Sequence, residues 1–492
     1  MTHKLSKSTY LKGLQCEKSL YLNKHHKELK DELTEAQEAI FSQGTMVGEL
    51  AQDLFPGGLD VSPESFYDYT DSLQQTKDAI ANGLTVIYEA AFQFNGVLCA
   101  VDILVRDGIA WKAYEVKSST KVKEVNVQDA SLQYHVLTNC GLQISDISLV
   151  VINNQYCKDG ELDIHKLFRI ESVLESVKES LAQTEGSIKR FKEVLAQKEV
   201  PAALIGKKCT APYDCNFRGH CWKKVPDYSV FNLINIKKDK AELLYHSGSV
   251  LITDIPLDYR LSDSQALQVQ CERDQSVIIN KKKLREFVGE LHYPLYFLDF
   301  ESSMMAVPLF EHQKPYQQIP FQYSLHIQNS EEHNYLHLEF LAESDGGDPR
   351  LAFINQLIKD CGSEGAIVVY NKSFEKRILT ELINDFPAYE YQLNSIVNRM
   401  VDLMQPFLKK HYYTPAMKGK YSIKYVLPAL CPELSYTDLD IKEGGSASRV
   451  FAQMLNKEFE GDVQQTRTAL YEYCKLDTWA MVKILEQIKK VI

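Results

Sequence analysis

The sequence predicts an α/β protein made of at least two domains, and three observations carry that expectation. Strand-like runs mix with helical stretches in two separate parts of the chain, around residues 85–152 and again from residue 293 onward. The length, 492 residues, exceeds what one hydrophobic core usually organises. Composition, 45% hydrophobic and 25% charged, is that of an ordinary globular protein.

Taken in chain order, the region from Ser6 to Phe55 reads as helical. Leu11, Leu14, Leu20 and Leu22 recur near its start, Thr34 stands as a cap before Glu35-Ala-Gln-Glu, and Pro56-Gly-Gly ends it. Thr85–Phe94, Val97–Val105 and Ala110–Val116 read as three strands, because β-branched and aromatic residues dominate them. Asn95-Gly96 and Asp107-Gly108 between them are hairpin turns. A helix over Val127–Asn139, a strand over Ile147–Ile152 and a charged amphipathic helix over Arg169–Lys198 follow. Residues 226–290 read as a helical linker domain, with short helices around Lys240 and Ser264. A second α/β unit over 291–492 begins at Tyr293-Pro-Leu-Tyr-Phe-Leu-Asp-Phe-Glu, has strands near Gln322, Leu336 and Ala366, and ends in a helix over Ala469–Ile492.

Bulk properties narrow the function classes. No run approaches the roughly 20 apolar residues of a membrane span, and Met1-Thr-His-Lys-Leu-Ser-Lys-Ser lacks a signal-peptide core, so a cytoplasmic address and no membrane partner are expected. A net charge of −11 excludes a uniformly basic coat but not a local basic groove. Eleven cysteines in such a chain are read as candidate metal ligands before disulfides.

Three constellations carry chemistry. Asp102 and Glu115 each interrupt an apolar strand, where an unpaired carboxylate is costly. Lys117 shares the face of Glu115 by the period of two, so two carboxylates suited to a hard divalent ion stand beside an ammonium. Cys209, Cys215 and Cys221 cluster in a polar loop, with Cys16 near the other end of the same region. Four thiolates suit zinc as well as an iron–sulfur cluster, with His220 as a weaker zinc alternative. Asp299 and Glu301 close an apolar strand on one face. Asn371 to Glu375, Asp402, and the helical pair Tyr473 and Asp477 follow.

The run Val101-Asp102-Ile-Leu with Tyr114-Glu115-Val-Lys117 and Asp129-Ala-Ser-Leu-Gln133 resembles the RecB-like branch of the PD-(D/E)XK nucleases over roughly the first 225 residues. That resemblance implies a restriction-endonuclease-like fold over residues 1–225, with Asp102, Glu115, Lys117 and Gln133 catalytic. The family's helical histidine is absent from Gly44-Thr-Met-Val47-Gly48-Glu49, with Glu49 the candidate substitute. The placement of Cys16, Cys209, Cys215 and Cys221 resembles the iron–sulfur members of that branch and implies a [4Fe-4S] cluster. Asp299 with Glu301, Asn371 to Glu375, and Tyr473 with Asp477 resemble the DEDD 3′-5′ exonucleases of ribonuclease H-like fold, although Glu375 stands where aspartate is usual. Tyr421-Ser-Ile-Lys-Tyr-Val-Leu-Pro resembles the serine-led helix before their last motif. The implied activity is hydrolysis of DNA or RNA with Mg²⁺ or Mn²⁺, Tyr473 orienting water and Asp402 compensating for the longer Glu375. Nucleic acid, chiefly DNA with single-stranded ends, is the expected partner, and repair or defence the expected setting. Tyr114, Tyr134 and Phe374 are candidates for base stacking. A nucleic-acid-binding scaffold with one or both sites silent is the alternative.

Overall fold

The structure, a computed structural model, describes residues 4–65, 68–332, 334–344, 346–436 and 439–492. It divides into two compact units, Met1–Lys224 with Ala306–Tyr316, and Val225–Met305 with Gln317–Ile492. Both units are α/β, as expected. Among the described residues no helix is long and apolar enough to cross a membrane.

The first unit opens with helices α1 (Lys7–Gln15), α2 (Glu17–His25) and α3 (Glu35–Gln52). Thr34 caps α3 as its sequence suggests, accepting from the Gln37 N–H. Its sheet contains β1 (Val86–Phe94), β2 (Val97–Asp107), β3 (Ala110–Lys117), β4 (Ile144–Ile152) and β5 (Phe168–Ser172) in that spatial order. The first three form an antiparallel meander, β4 runs parallel to β3, and β5 antiparallel to β4. Asn95-Gly96 makes the first turn with both φ positive, as a tight hairpin requires. The second turn falls at Gly108-Ile109, one residue beyond the expected pair. Helix α4 (Glu124–Asn139) starts three residues earlier than expected and contributes Ala130, Leu132 and Val136 to the core that also holds Ala113 and Leu149.

One expectation needs correcting. Arg169–Ser172 is not helical but belongs to β5, paired with β4, and the amphipathic helix is α5 (Leu174–Ala196). The polar residues of Phe168-Arg-Ile-Glu-Ser blend into the charged helix that follows. The open edge of β4 decides the matter by offering hydrogen-bond partners that a lone turn of helix lacks.

In the second unit, a five-stranded sheet has the order β8, β7, β6, β9, β10, comprising β6 (Leu295–Met304), β7 (Gln318–Gln328), β8 (Tyr335–Leu341), β9 (Ala366–Val369) and β10 (Met400–Asp402). The first three strands pair antiparallel, whereas β9 and β10 continue parallel to β6. Residues 226–290 lie in this unit: helices Lys238–His246, Asp263–Asp274 and Lys281–Val288 are present, and Cys271, Leu284 and Phe287 join the core beneath the final helix. Strand β6 separates two cores, with Leu295 and Phe297 facing one and Tyr296, Leu298 and Phe300 the other. Alternation therefore sends Asp299 and Glu301 to the face covered by α8 (Val463–Val491), the last helix.

Candidate active sites

At the C-terminal centre, carboxylate oxygens of Asp299, Glu301 and Asp477 all lie within 4.8 Å of one another. Strand alternation supplies the first two, and α8 supplies Asp477 one turn beyond Tyr473. Glu301 and Asp477 are buried. Burial raises all three pKa values: Glu301 to about 8, with Asp477 adding to the push, Asp477 to about 6, and Asp299 well above the carboxylate range. The local compensation is small. The Tyr436 hydroxyl donates to Asp477 Oδ1 at 2.6 Å, and Lys424 lowers the pKa values of Glu301 and Asp477 by charge alone. Such a cluster is short of a cation.

Glu375, on α6 (Lys372–Asp385), is buried, and its Oε2 has no hydrogen-bond partner among the described residues. Burial pushes it up to about 8, and its charge is felt at Asp299 and Glu301. It borders the triad without joining the 4.8 Å group. Asp402 does not compensate for the longer Glu375 by entering the group. Its Oδ1 accepts from the Asn371 and Met404 N–H groups at 3.0 Å each, and its Oδ2 from Gln405 Nε2 at 3.0 Å. Asp402 thus braces the turn where Asn371, at φ 76°, starts α6.

Tyr473 is buried, its ring 6.3 Å from that of Tyr436, and Lys424 Nζ lies 5.7 Å from its ring centre. Helix α7 (Gly444–Leu455) begins against the same carboxylates, since a Cβ on Gly444 would come within 3.2 Å of Glu301 Oε2. Sequence reasoning missed Tyr436, Lys424 and Gly444. Lys424 lies within the serine-led segment and was identifiable, but Tyr436 and Gly444 belong to no recognisable spacing.

The N-terminal centre gathers Asp102, Glu115, Lys117 and Gln133 as expected. Glu115, buried, accepts from Lys117 Nζ at 2.5 Å on Oε1 and from Gln133 Nε2 at 2.6 Å on Oε2. Asp102 Oδ2 accepts from the Val116 N–H at 2.6 Å. Three residues enter that were not foreseen. Asp129, buried, pairs with Lys117 at 3.0 Å. Lys7 reaches Glu115 Oε1 at 2.7 Å and Asp102 Oδ1 at 3.6 Å. Glu89 sits opposite Asp102 where the β1–β2 ladder is interrupted, in the left-handed region at φ 53°. Burial raises Glu89 to about 8, with Asp102 adding to the push, and Asp102 to about 6, with Glu115 adding to the push. Burial would raise Glu115 too, but Lys117 and Lys7 hold it well below the carboxylate range. Glu49 is exposed on α3. Tyr114 is a core residue, its ring tilted at 33° to that of Phe55 with centroids 4.5 Å apart, while Tyr134 and Phe374 are half-buried.

Cys16, Cys209, Cys215 and Cys221 line one pocket, together with Lys18, Lys208 and Arg218. Cys16 is the extended residue between α1 and α2, and the Cys215 N–H donates to the Cys209 carbonyl at 3.0 Å. No three of these thiols lie within 4.8 Å of one another, the carboxylate triad being the sole group that close among the described residues. His220 is exposed and does not line the pocket.

A family described as "Domain of unknown function (DUF2779)" matches residues 296–422, a span that holds Asp299, Glu301, Glu375 and Asp402 but ends before Tyr473 and Asp477. The chain is also similar to "Uncharacterized protein UU173" of Ureaplasma parvum serovar 3, at 33% identity over 153 residues, 27% of this chain and 21% of the relative. It is 28% identical to "Uncharacterized protein MG366 homolog" of Mycoplasma pneumoniae over 237 residues, 44% of this chain and 36% of the relative. "Uncharacterized protein MG366" of Mycoplasma genitalium is 28% identical over 217 residues, 40% and 32% respectively. The chain thus spans between 21% and 36% of the length of these relatives.

Proposed function

We propose that this chain is a divalent-metal-dependent nuclease of the cytoplasm that hydrolyses phosphodiester bonds in nucleic acid, with the C-terminal carboxylates as an exonucleolytic centre and the N-terminal lysine-bearing cluster as a second site. The observation that carries the reading is the approach of Asp299, Glu301 and Asp477 to within 4.8 Å, with little positive charge beside them. The strand order β8, β7, β6, β9, β10 supports it, being the order expected of a ribonuclease H-like sheet.

The residues present fit a bound ion. Asp299, Glu301 and Asp477 would hold Mg²⁺ or Mn²⁺, and the orphaned Glu375 Oε2 would reach a second ion or its water. When bound, the metal supplies charge stabilisation at the phosphoryl oxygens and activation of water. Burial keeps the Tyr473 hydroxyl protonated at neutral pH, so it remains a donor that orients an attacking water. Lys424 adds positive charge near Glu301 and Asp477 that could meet a phosphate.

For the four cysteines we propose a [4Fe-4S] cluster. All four cysteines line one pocket, and Lys18, Lys208 and Arg218 around it offset the charge of four thiolates.

The test is cleavage of end-labelled single- and double-stranded DNA and RNA with Mg²⁺ or Mn²⁺. We expect successive shortening from the 3′ end, reduced by at least about 10³-fold in Asp477→Asn and Asp299→Asn, the scale of losing metal-borne transition-state stabilisation. Products that persist in those variants and vanish in Lys117→Ala would belong to the N-terminal site. Absence of cleavage of every substrate would refute the nuclease reading.

A further inference from the structure

The two carboxylate centres differ in how their charge is met: at the N-terminal one Lys117 pairs with Glu115 and Asp129, and Lys7 adds a second ammonium that reaches both Glu115 and Asp102. At the C-terminal centre, no ammonium group among the described residues pairs with the triad. At the N-terminal centre, Lys7 Nζ stands 2.7 Å from Glu115 Oε1 and 3.6 Å from Asp102 Oδ1, so one cation already spans the two carboxylates expected to share a divalent ion. The remaining oxygens are also engaged, Glu115 Oε2 by Gln133 and Asp102 Oδ2 by the Val116 N–H.

The position of Lys7 is fixed by the chain on its N-terminal side. Leu5 and Ser6 pair parallel with Val97 and Leu98, the Lys4 N–H donates to the Gly96 carbonyl at 2.8 Å, and Leu5 is fully buried. Ser6 then caps α1, with Thr9 closing the capping box. Lys7 is consequently the first residue of a helix, where the dipole disfavours a cation and favours an acid. A lysine there, three-quarters buried, is held by the carboxylates it meets. A flexible surface lysine would show neither the cap nor the strand pairing behind it.

We infer that Lys7 is a positioning residue that serves as the resident cation of the N-terminal centre and holds divalent metal off Asp102 and Glu115 until it is displaced. This inference rests on the reading of that cluster as a nuclease site. It makes the two centres unequal: the C-terminal one loads metal directly, whereas the N-terminal one loads only as the Lys7 ammonium withdraws. Substrate phosphate, which would draw an ammonium toward itself, is the chemical class suited to that displacement.

The test measures Mn²⁺ binding by the electron paramagnetic resonance of free and bound ion, in the full chain carrying Asp299→Asn and Asp477→Asn so that the C-terminal centre is silent. Lys7→Met and Lys7→Gln should each bind Mn²⁺ about tenfold or more tightly than the Lys7 chain, since one cation a few ångströms from the ligands has gone. Lys7→Arg should not, and Asp102→Asn should abolish the gain. Thermal melting confirms folding, and in Lys7→Met it should rise with Mn²⁺. Equal affinity in the Lys7, Met and Gln chains would overturn the inference, as would a gain that survives Asp102→Asn. Mn²⁺ binding to the triad in the otherwise unaltered chain is scored separately, so failure of the C-terminal reading is told apart from failure of this one.

Discussion

At the scale of single residues, the C-terminal carboxylates tie protons to stability and, if they hold metal as proposed, to its binding. Glu301 and Glu375 are pushed up to about 8 and Asp477 to about 6, burial being the largest cause in each case. In an unfolded chain the same groups titrate near ~4. Between about pH 4 and pH 8 the native state therefore keeps protons that the unfolded state has released, so the metal-free fold loses stability as pH rises through that window. A divalent ion competes for the same oxygens, so the gain in melting temperature from saturating Mn²⁺ should grow from about pH 5 to about pH 8 and then level. A gain independent of pH would show that these groups are not the ligands. Much of this centre was legible in the sequence, because strand alternation fixes Asp299 with Glu301 and helical spacing fixes Tyr473 with Asp477. Tyr436 here and Lys7 at the N-terminal centre were not, since each reaches its partner across a long stretch of chain and obeys no local period. Glu89 carried the same signal as Asp102, a carboxylate interrupting an apolar strand, and was open to the same reasoning.

At the scale of elements, the packing of α1 against α5 decides where Cys16 sits. Gly13 is buried on α1, and a Cβ there would stand 2.8 Å from the Phe191 ring, itself fully buried, while Tyr10 meets the same ring edge-on at 5.6 Å. Alanine is the better helix former by about 1 kcal/mol, but overpacking a rigid ring costs about 1–3 kcal/mol, so packing should win. Gly13→Ala is therefore expected to lower stability by about 1–2 kcal/mol in denaturant titration. An unchanged or raised midpoint would mean that the two helices are free to part. The elements themselves were largely readable from periodicity and turn residues. The exception, β5, shows the limit of that reading: a polar segment preceding a charged helix becomes a strand because β4 has an edge to fill.

At the scale of the whole molecule, the cysteine pocket joins residues distant in sequence, Cys16 before strands β1 to β5 and Cys209 to Cys221 after them. The apolar core of that unit forms around β1 to β4 without those thiols, so the proposed cluster would act on the closure of the chain and not on the packing of the sheet. In the chain-entropy picture used for disulfides, bridging Cys16 to Cys209 is worth about 5 kcal/mol through the unfolded state, comparable to the whole net stability of many domains. Protein purified without air should therefore be brown, with broad absorbance near about 400 nm. Cys16→Ser should lose both the colour and several degrees of melting temperature in the first unit. Cys157→Ser, at an exposed cysteine outside the pocket, should lose neither. Because the triad belongs to the other compact unit, Mn²⁺ binding at Asp299, Glu301 and Asp477 should survive Cys16→Ser. A colourless protein with stoichiometric zinc would refute the cluster, and a Cys16→Ser chain that melts unchanged would refute its role in closing the first unit.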